Sequence, residues 1–382
     1  MAETAQIQID LKRYRINECL ECGRCTAVCP VAKTHAFSPR RSLSFAISNS
    51  ASTLASDTSV WACLTCRRCE LVCPAEIPYS AANRSMRALL RGLGVKQTCT
   101  HGGVFEQITS LMTRPGLEQN RLGWVTKDLK VKQKGGDTLF FTGCSPYFAA
   151  YFGEPYAEHL LGSLRAAVKL MNKVGIEPLV LANERCCGHD ALLRGEVELF
   201  ETLAGMVKEQ IQANGVKRVV FTCPECFSTL RDDHPSVVGK WNVELLHISD
   251  VLSGKLSALP FRETKRCATY QDPCRLGRYS NHYEEPRKVV GAIPQFELRE
   301  MEHNRQRAIC CGNTAWIGCD GGTKQMQKQR LAEATATGSD VLLTACPKCL
   351  IHLTCSLSGD DGAIGESLKI QDLWEFTASC LE

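Results

Sequence analysis

From residue 137 onward the chain alternates short apolar runs with longer stretches of helical periodicity. DTLFFTGC (137–144) is apolar, short and bounded by polar residues, which predicts a buried strand. EHLLGSLRAAVKLMNKVG (158–175) follows as a helix with Gly175 at its stop, then EPLVLA (177–182) as a strand, EVELFETLAGMVKEQIQANG (196–215) as a helix and RVVFTC (218–223) as a strand. The order recurs. CATYQDPC (267–274), PQFELREM (294–301) and DVLLTAC (340–346) predict strands, EEPRKVVGAI (284–293) and TKQMQKQRLAEATATG (323–338) predict helices, and ESLKIQDLWEFTASC (366–380) predicts a closing amphipathic helix. RCCGHD answers ICCGNT and TCPECFSTL answers ACPKCLIHL, with Cys187 and Cys311 124 residues apart and Cys223 and Cys346 123 apart. An internal duplication of roughly 125 residues, each copy a βαβ unit with parallel strands, accounts for this.

The first part of the chain reads differently. SAANRSMRALLRGLG (80–94) has helical periodicity and a glycine stop, and EQITSLMTRPGL (106–117) predicts a second short helix ending at Pro115. Residues 31–60 are Ser/Ala-rich with a helix-compatible centre, and KVKQKGG (130–136) suits a linker. The expected fold is mixed: a helical domain of α+β type over 1–130, then two duplicated α/β domains over 137–255 and 262–382.

Composition adds one decisive fact: 23 of the 382 residues are cysteine. Disulfide-stapled scaffolds are short, whereas this chain, 44% hydrophobic, is long enough to fold by burial. MAETAQIQIDLKRYRINECLECG carries no basic segment followed by an apolar run and cleavage site, so no secretion signal is expected. No run of about 18 apolar residues suggests a membrane span. The expected compartment is the cytoplasm, with any membrane association through a partner, and closely spaced thiols there point to metal. A net charge of +4 without basic blocks argues against nucleic acid.

Cys19, Cys22, Cys25, Cys29 and Pro30 form C-x2-C-x2-C-x3-C-P, and Cys63, Cys66, Cys69, Cys73 and Pro74 repeat it. Three cysteines at this spacing place three sulfurs on one concave side, while the fourth, starting a proline-broken segment, reaches the other site. The expected ligand sets for two cubane [4Fe–4S] clusters are Cys19, Cys22, Cys25 with Cys73, and Cys63, Cys66, Cys69 with Cys29. Zinc knuckles would need only four ligands in two pairs and do not require this run twice. Arg24, Arg40, Arg41, Arg67 and Arg68 around these motifs read first as a solvated basic face.

Each copy of the duplication carries a lone cysteine, an adjacent pair followed by glycine, then C-x2-C. These are Cys144, Cys186, Cys187, Cys223 and Cys226 in the first, and Cys274, Cys310, Cys311, Cys346 and Cys349 in the second. Zinc and an ordinary cubane each need four sulfurs, so a fifth argues for an expanded or open cluster. The glycine after each pair lets the backbone pass close by or adopt positive φ. A structural zinc in one copy, with His189 beside Gly188, is the alternative; His189 otherwise sits near a substrate, bonds a sulfur or is merely structural. A thioredoxin-like dithiol at either C-x2-C is disfavoured because no single cysteine is set apart.

FTGC at Cys144, RCCGHD, TCPEC, QDPC at Cys274, ICCGN and ACPKC together resemble the CCG-domain family, whose best-known members are the B-type and D-type subunits of heterodisulfide reductase. With the two ferredoxin motifs upstream, the arrangement is similar to the D-type protein, in which a small ferredoxin-like C-type module is fused ahead of a B-type module. The resemblance covers almost the whole chain. It implies two noncubane [4Fe–4S] clusters facing each other across the repeats, with the ten cysteines of the two copies as catalytic ligands, and an oxidoreductase of anaerobic metabolism that cleaves or forms a disulfide. Its alternative is an electron-transfer subunit without a substrate, as in the iron–sulfur subunit of glycolate or lactate oxidase or the D-type component of a benzoyl-CoA reductase complex. No GxGxxG follows a strand, so a flavin-containing electron-transfer subunit or a membrane cytochrome b, among other members of a redox complex, is expected to exchange electrons with it. Cys99, Cys267, Cys319, Cys355 and Cys380 are left over and read as buried small hydrophobes, with Cys319 a candidate neighbour of the second pair.

Overall fold

The computed structural model describes residues 9–47, 58–357 and 368–382. The helix-compatible centre expected between the two ferredoxin motifs is the helix Pro39–Ile47, and the remainder of that segment to residue 57 lies outside the described residues. The longest helix of the first part, Tyr79–Gly92, buries Tyr79, Ala82, Asn83, Met86, Leu89 and Leu90, the stripe its periodicity dictates. Arg87 on the same face is also fully buried. Its guanidinium donates to the carbonyls of Val60 and Trp61 at 3.1 Å and Cys63 at 2.5 Å, and to Leu193 O at 3.0 Å in the first repeat. A buried cation thus fastens the loop that carries Cys63 to the rest of the molecule. The shorter helix Val104–Leu111 ends ahead of Pro115, as expected.

Two parallel sheets follow. β1 (Thr138–Phe141), β2 (Arg218–Phe221) and β3 (Glu244–His247) lie in the order β1-β2-β3. β4 (Cys267–Gln271), β5 (Glu297–Leu298), β6 (Val341–Thr344) and β7 (Lys369–Asp372) lie in the order β5-β4-β6-β7. Leu179 completes the correspondence by pairing beside β1, with Phe140 N to Leu179 O and Leu179 N to Thr138 O both 2.8 Å. EPLVLA is therefore not a full strand. Pro178 lacks a donor, and on the outer side Lys132 of the expected linker pairs with the backbone of Pro178 and Val180, which covers the sheet edge. Every residue of β1 and β6 is buried, as central parallel strands require.

The tail corrects the expected single helix. Residues Lys369–Asp372 are strand β7, and only Leu373–Ser379 is helical. Asp372 makes the break by accepting from the backbone of Trp374 at 2.9 Å and Glu375 at 3.2 Å. β3 is its unanticipated counterpart 125 residues earlier, where His247 caps Ile248–Ser253 and Asp250 accepts from His247 N at 2.9 Å.

The repeats pack reciprocally. One core joins Phe140 and Val220 of the first sheet, Tyr270 and Leu343 of the second, Leu164 and Val168 of the helix Tyr156–Lys173, and Trp374 and Phe376 of the closing helix. His159 of the first repeat meets Glu375 of the second at 3.1 Å, and His282 of the second meets Asp250 of the first at 2.8 Å. These are equivalent positions, 123 and 125 residues apart, so each half offers the other the same pair. This is the self-complementary logic of an isologous dimer, realised within one chain.

Candidate metal centres

The two ferredoxin-type loops reach the same backbone shape by different residues. Glu21 and Gly23 in the first have φ of 50° and 75°, and Thr65 and Arg67, 44 residues later, have 48° and 62°. Left-handed residues at these two positions turn the chain so that three cysteines share one concave side; strain of this kind, roughly 1–3 kcal/mol per non-glycine residue, persists where the surroundings impose it. Cys19, Cys22, Cys25, Cys69 and Cys73 line one cavity with Pro74. Cys29, Cys63, Cys66 and Cys69 line the other with Pro30. The eight cysteines thus gather at two cavities, with Cys29 beside the second motif's cysteines, Cys73 beside the first's, and Cys69 lining both. Burial, with Cys66 and Cys63 adding to it, pushes the Cys29 thiol up to about 12, and burial pushes Cys63 up to about 11 although Arg87 opposes it. Thr65 N donates to Cys63 Sγ at 3.3 Å and Ile77 N to Cys73 Sγ at 3.5 Å, the donor arrangement that supports a thiolate.

In each repeat the lone cysteine and the C-x2-C pair come just beyond the carboxyl ends of strands, where parallel sheets gather their sites, and the CCG pair comes in from a longer loop. They form a chain of contacts in one order. In the first repeat Cys144 meets Cys186 at 3.8 Å, Cys186 meets Cys187, Cys187 meets Cys226, and Cys226 meets Cys223. In the second Cys274 meets Cys310, Cys310 meets Cys311, Cys311 meets Cys349 at 3.2 Å, and Cys349 meets Cys346. These separations exceed a disulfide's length of about 2 Å, and all the cysteines are free thiols. Hydrogen bonds from Cys310 and Cys349 lower Cys311 to about 6, so one thiolate forms readily in a set whose other members are mostly pushed up. Gly188 and Gly312, at φ 77° and 84°, end each pair; a Cβ there would meet Phe200 at 2.8 Å or Thr323 at 3.1 Å.

Buried polar atoms without partners occur in the same segments. His189 Nε2, both side-chain polar atoms of Asn313, Trp316 Nε1 and Arg278 Nη2 have none. His189 and Asn313 occupy one position, two residues after the CCG cysteine, in the two repeats. Five free thiols ringed by orphaned polar groups fit a sulfur-rich metal cluster, which the ten cysteines would hold. The zinc alternative fares less well. His189 Nδ1 bonds Thr229 Oγ1 at 2.7 Å, and its Nε2, without a hydrogen bond, lies 3.6 Å from Glu225, so the groups at both ring nitrogens are oxygens. His189, Asp190 and Glu225 do converge, but Lys348 already fills that acidic cluster with its ammonium, bonding Asp190 and, at 2.7 Å, Glu225 Oε2. Burial would lower the Lys348 ammonium; the two carboxylates more than offset this and hold it well above its ordinary value.

Sequence reasoning missed this cluster, although a signal existed: the residue inside CPxC is Glu225 in one repeat and Lys348 in the other, and the two meet. It also missed CRLGRYS after Cys274. Arg275 Nη2 reaches Thr65 Oγ1 at 2.8 Å, Tyr279 OH reaches Thr65 O at 2.7 Å, and Arg67 and Arg275 stack on the two sides of Tyr279 at 3.6 and 3.9 Å. Arg67 is therefore a packing residue between modules as well as a basic one. Of the five leftover cysteines only Cys380 is buried; Cys319 and Cys355 are exposed, Cys355 bonded by Lys324 at 3.0 Å, and Cys99 donates to Glu106 at 2.7 Å. The expectation of five buried hydrophobes fails because polar partners are available at the surface.

The loops that carry the thiols are tied across the modules. Arg278 of the second repeat bonds Cys66 O in the ferredoxin-type loop and Ala308 O ahead of Cys310, and Lys348, between Cys346 and Cys349, bonds Glu225, between Cys223 and Cys226. The first module also reaches the first repeat, through Arg87 and Leu193 O and through Arg84 and Asp233.

Comparison with known proteins agrees with this layout. The profile of the cysteine-rich CCG domain matches residues 138–231 and 268–354, and that of the 4Fe-4S dicluster domain matches 15–77. The D-type subunit of dihydromethanophenazine:CoB–CoM heterodisulfide reductase from Methanosarcina barkeri is 30% identical over 69% of this chain. The chain spans 63% of that protein's length. The B-type subunit of fumarate reductase (CoM/CoB) from Methanothermobacter marburgensis is 25% identical over 96% of this chain and 72% of its own. A crystal structure of a hypothetical protein from Helicobacter pylori, 8% identical, shares the fold with a TM-score of 0.53 over 86% of this chain and 63% of that one. Both named relatives belong to multi-subunit redox complexes. The chain is an iron–sulfur protein of the CCG-domain family, with a 4Fe-4S dicluster domain ahead of two CCG domains, homologous to the D-type subunit of heterodisulfide reductase.

Proposed function

We propose that this chain carries electrons in single file from a reduced partner to a disulfide. Cys19, Cys22, Cys25 and Cys73, and Cys63, Cys66, Cys69 and Cys29, would hold two cubane clusters and the ten CCG cysteines two noncubane clusters, which would supply one-electron transfer, one electron for each sulfur of the disulfide. The observation that carries this reading is a pair of bridges: Arg278 joins Cys66 O to Ala308 O, two residues before Cys310, and Lys348, between Cys346 and Cys349, bonds Glu225, between Cys223 and Cys226. The second repeat's site is the port and the first repeat's site the terminus. The functional units are 1–130, 137–255 and 262–382.

The chain's own residues shape the terminus. Lys348 places a fixed positive charge between the repeats, balanced by Asp190 and Glu225, so the interior between the two CCG sites is charged yet internally paired. His189 Nε2 and the Asn313 amide present unpartnered polar atoms there, suited to hold a polar group of the disulfide compound. Reduction of the disulfide consumes two electrons and two protons and yields two thiols; the partner is oxidised by two electrons. That partner is a flavin-containing protein or a membrane cytochrome b within a larger complex. No helix among the described residues is long and apolar enough to cross a membrane.

The test is anaerobic. Full chain loaded with iron and sulfide, given reduced viologen and a mixed thiol disulfide, is expected to release two thiols per disulfide and to show a paramagnetic signal that depends on added thiol. Absence of both, with the iron signals present, would leave an electron-transfer protein without a substrate of its own.

A further inference from the structure

The segment that follows Cys274 has no equivalent after Cys144, where SPYFAA forms a helix instead. Its Arg278 stands between two thiol sets. Nε donates to Cys66 O at 2.5 Å, within the ferredoxin-type loop, and Nη1 donates to Ala308 O at 2.8 Å and Gln306 O at 3.1 Å, on the strand-exit loop leading to Cys310. Both sides of the guanidinium are thereby pinned by carbonyls, and the group cannot swing. Nη2 is buried and has no partner. A charged donor left bare in the interior is costly, so its position calls for an acceptor. Burial lowers the guanidinium, and Cys66, Cys274, Cys310 and Tyr283 around it raise it more. Arg68 and Arg330 are cations nearby; burial chiefly lowers both, and Arg278 adds to it. The frame around Arg278 is stiff: Tyr279, gripped between Arg67 and Arg275, fixes the loop to Thr65.

Resting on the cluster assignment above, we propose that Arg278 Nη2 donates to sulfur at the two sites it separates, and that this one guanidinium sets the reduction potentials of both. A hydrogen-bonding cation beside a sulfur cluster favours the added electron, so its effect is to raise both potentials together. The Cys22 and Cys187 sites, to whose loops it makes no bond, are expected to keep their potentials. Arg278 is a positioning and potential-setting residue.

The experiment is a redox titration of the loaded full chain followed by electron paramagnetic resonance, with signals assigned through Cys66→Ser and Cys311→Ser. In Arg278→Gln the Cys66-site and Cys310-site signals are expected to move to more negative potential while the other two stay, and Arg278→Lys, which keeps the charge, is expected to recover part of the shift. Four unmoved signals, or a common shift of all four, would overturn the assignment. Should Arg278→Gln fail to load, wild-type chain grown with guanidino-15N arginine decides by pulsed measurement: a nitrogen coupling present in wild type and absent in Arg278→Lys supports the proposal, and no coupling in wild type overturns it. A wild-type chain that shows no iron signals would overturn the function itself, a different result from iron signals that ignore Arg278.

Discussion

The two CCG halves have the same strands in the same order and the same chain of five thiols, yet they differ in what surrounds the thiols. The second half's lone cysteine opens CRLGRYS, which grips the ferredoxin-type loop through Arg275, Arg278 and Tyr279. The first half's lone cysteine opens a helix, and its neighbour is Arg121, which bonds the Gly143 carbonyl and Glu184. Duplication supplied two like sets of thiols, and the loops after the first cysteine surround them differently; in the function proposed above, that difference makes one the port and the other the terminus. Equal ligand sets therefore do not imply equal roles.

The strongest way to break this comparison is to remove one site at a time. Cys311→Ser is expected to abolish the second site's signal and to leave the first site unreduced on the turnover timescale in rapid-freeze measurements. Cys187→Ser is expected to abolish only its own signal while the second site still fills. Equal effects would mean parallel delivery, and loss of the Cys22-site or Cys66-site signal in either variant would mean that the ligands are partitioned otherwise. A smaller effect tests the bridge between halves. Lys348→Met leaves Asp190 and Glu225 buried without their cation, which should cost about 3–5 kcal/mol in chemical denaturation. Adding Glu225→Gln should recover part of it; full stability in Lys348→Met would show that the ion cluster holds nothing together.

The smallest effect concerns the reciprocal histidines. The bond to Glu375 raises His159, and the bond to Asp250 raises His282 against the lowering effect of burial. Raised values mean that each pair stabilises the fold fully below the unfolded value of about 6.5 and that this stability is lost as pH rises through the folded values. The side chains are 19–34% exposed, so each pair contributes a few tenths of a kcal/mol, about the range of a solvated ion pair. Denaturation midpoints between pH 6 and 8.5 should fall slightly in wild type and flatten in His159→Gln with His282→Gln. A steeper fall in the double variant would reverse the sign and exclude this origin.

The metal chemistry was legible because ligand spacing is local: C-x2-C-x2-C-x3-C-P and CCG constrain sulfurs within a few residues. The duplication was legible through the same cysteines. β3 and β7 were not, because ELLH and KIQD are four-residue runs whose alternation is masked by the helix that each one's last residue immediately caps. Nor were the Arg278 bridge and the Lys348 cluster, since each joins residues more than 120 positions apart and depends on how the repeats and the first module meet. Opposite charges at one repeat position were visible, but their encounter was not.

That encounter has a historical reading in terms of symmetry. Glu225 and Lys348 occupy equivalent positions and face each other, so in a homodimer of a single ancestral half this residue would face its own copy. Two buried glutamates or two buried lysines would then repel across the axis. Once both copies lay in one gene, each could mutate alone, and a charge pair closed to any identical couple became available. The fusion of the halves thus did more than tether them: it released the residue on the axis from having to be compatible with itself.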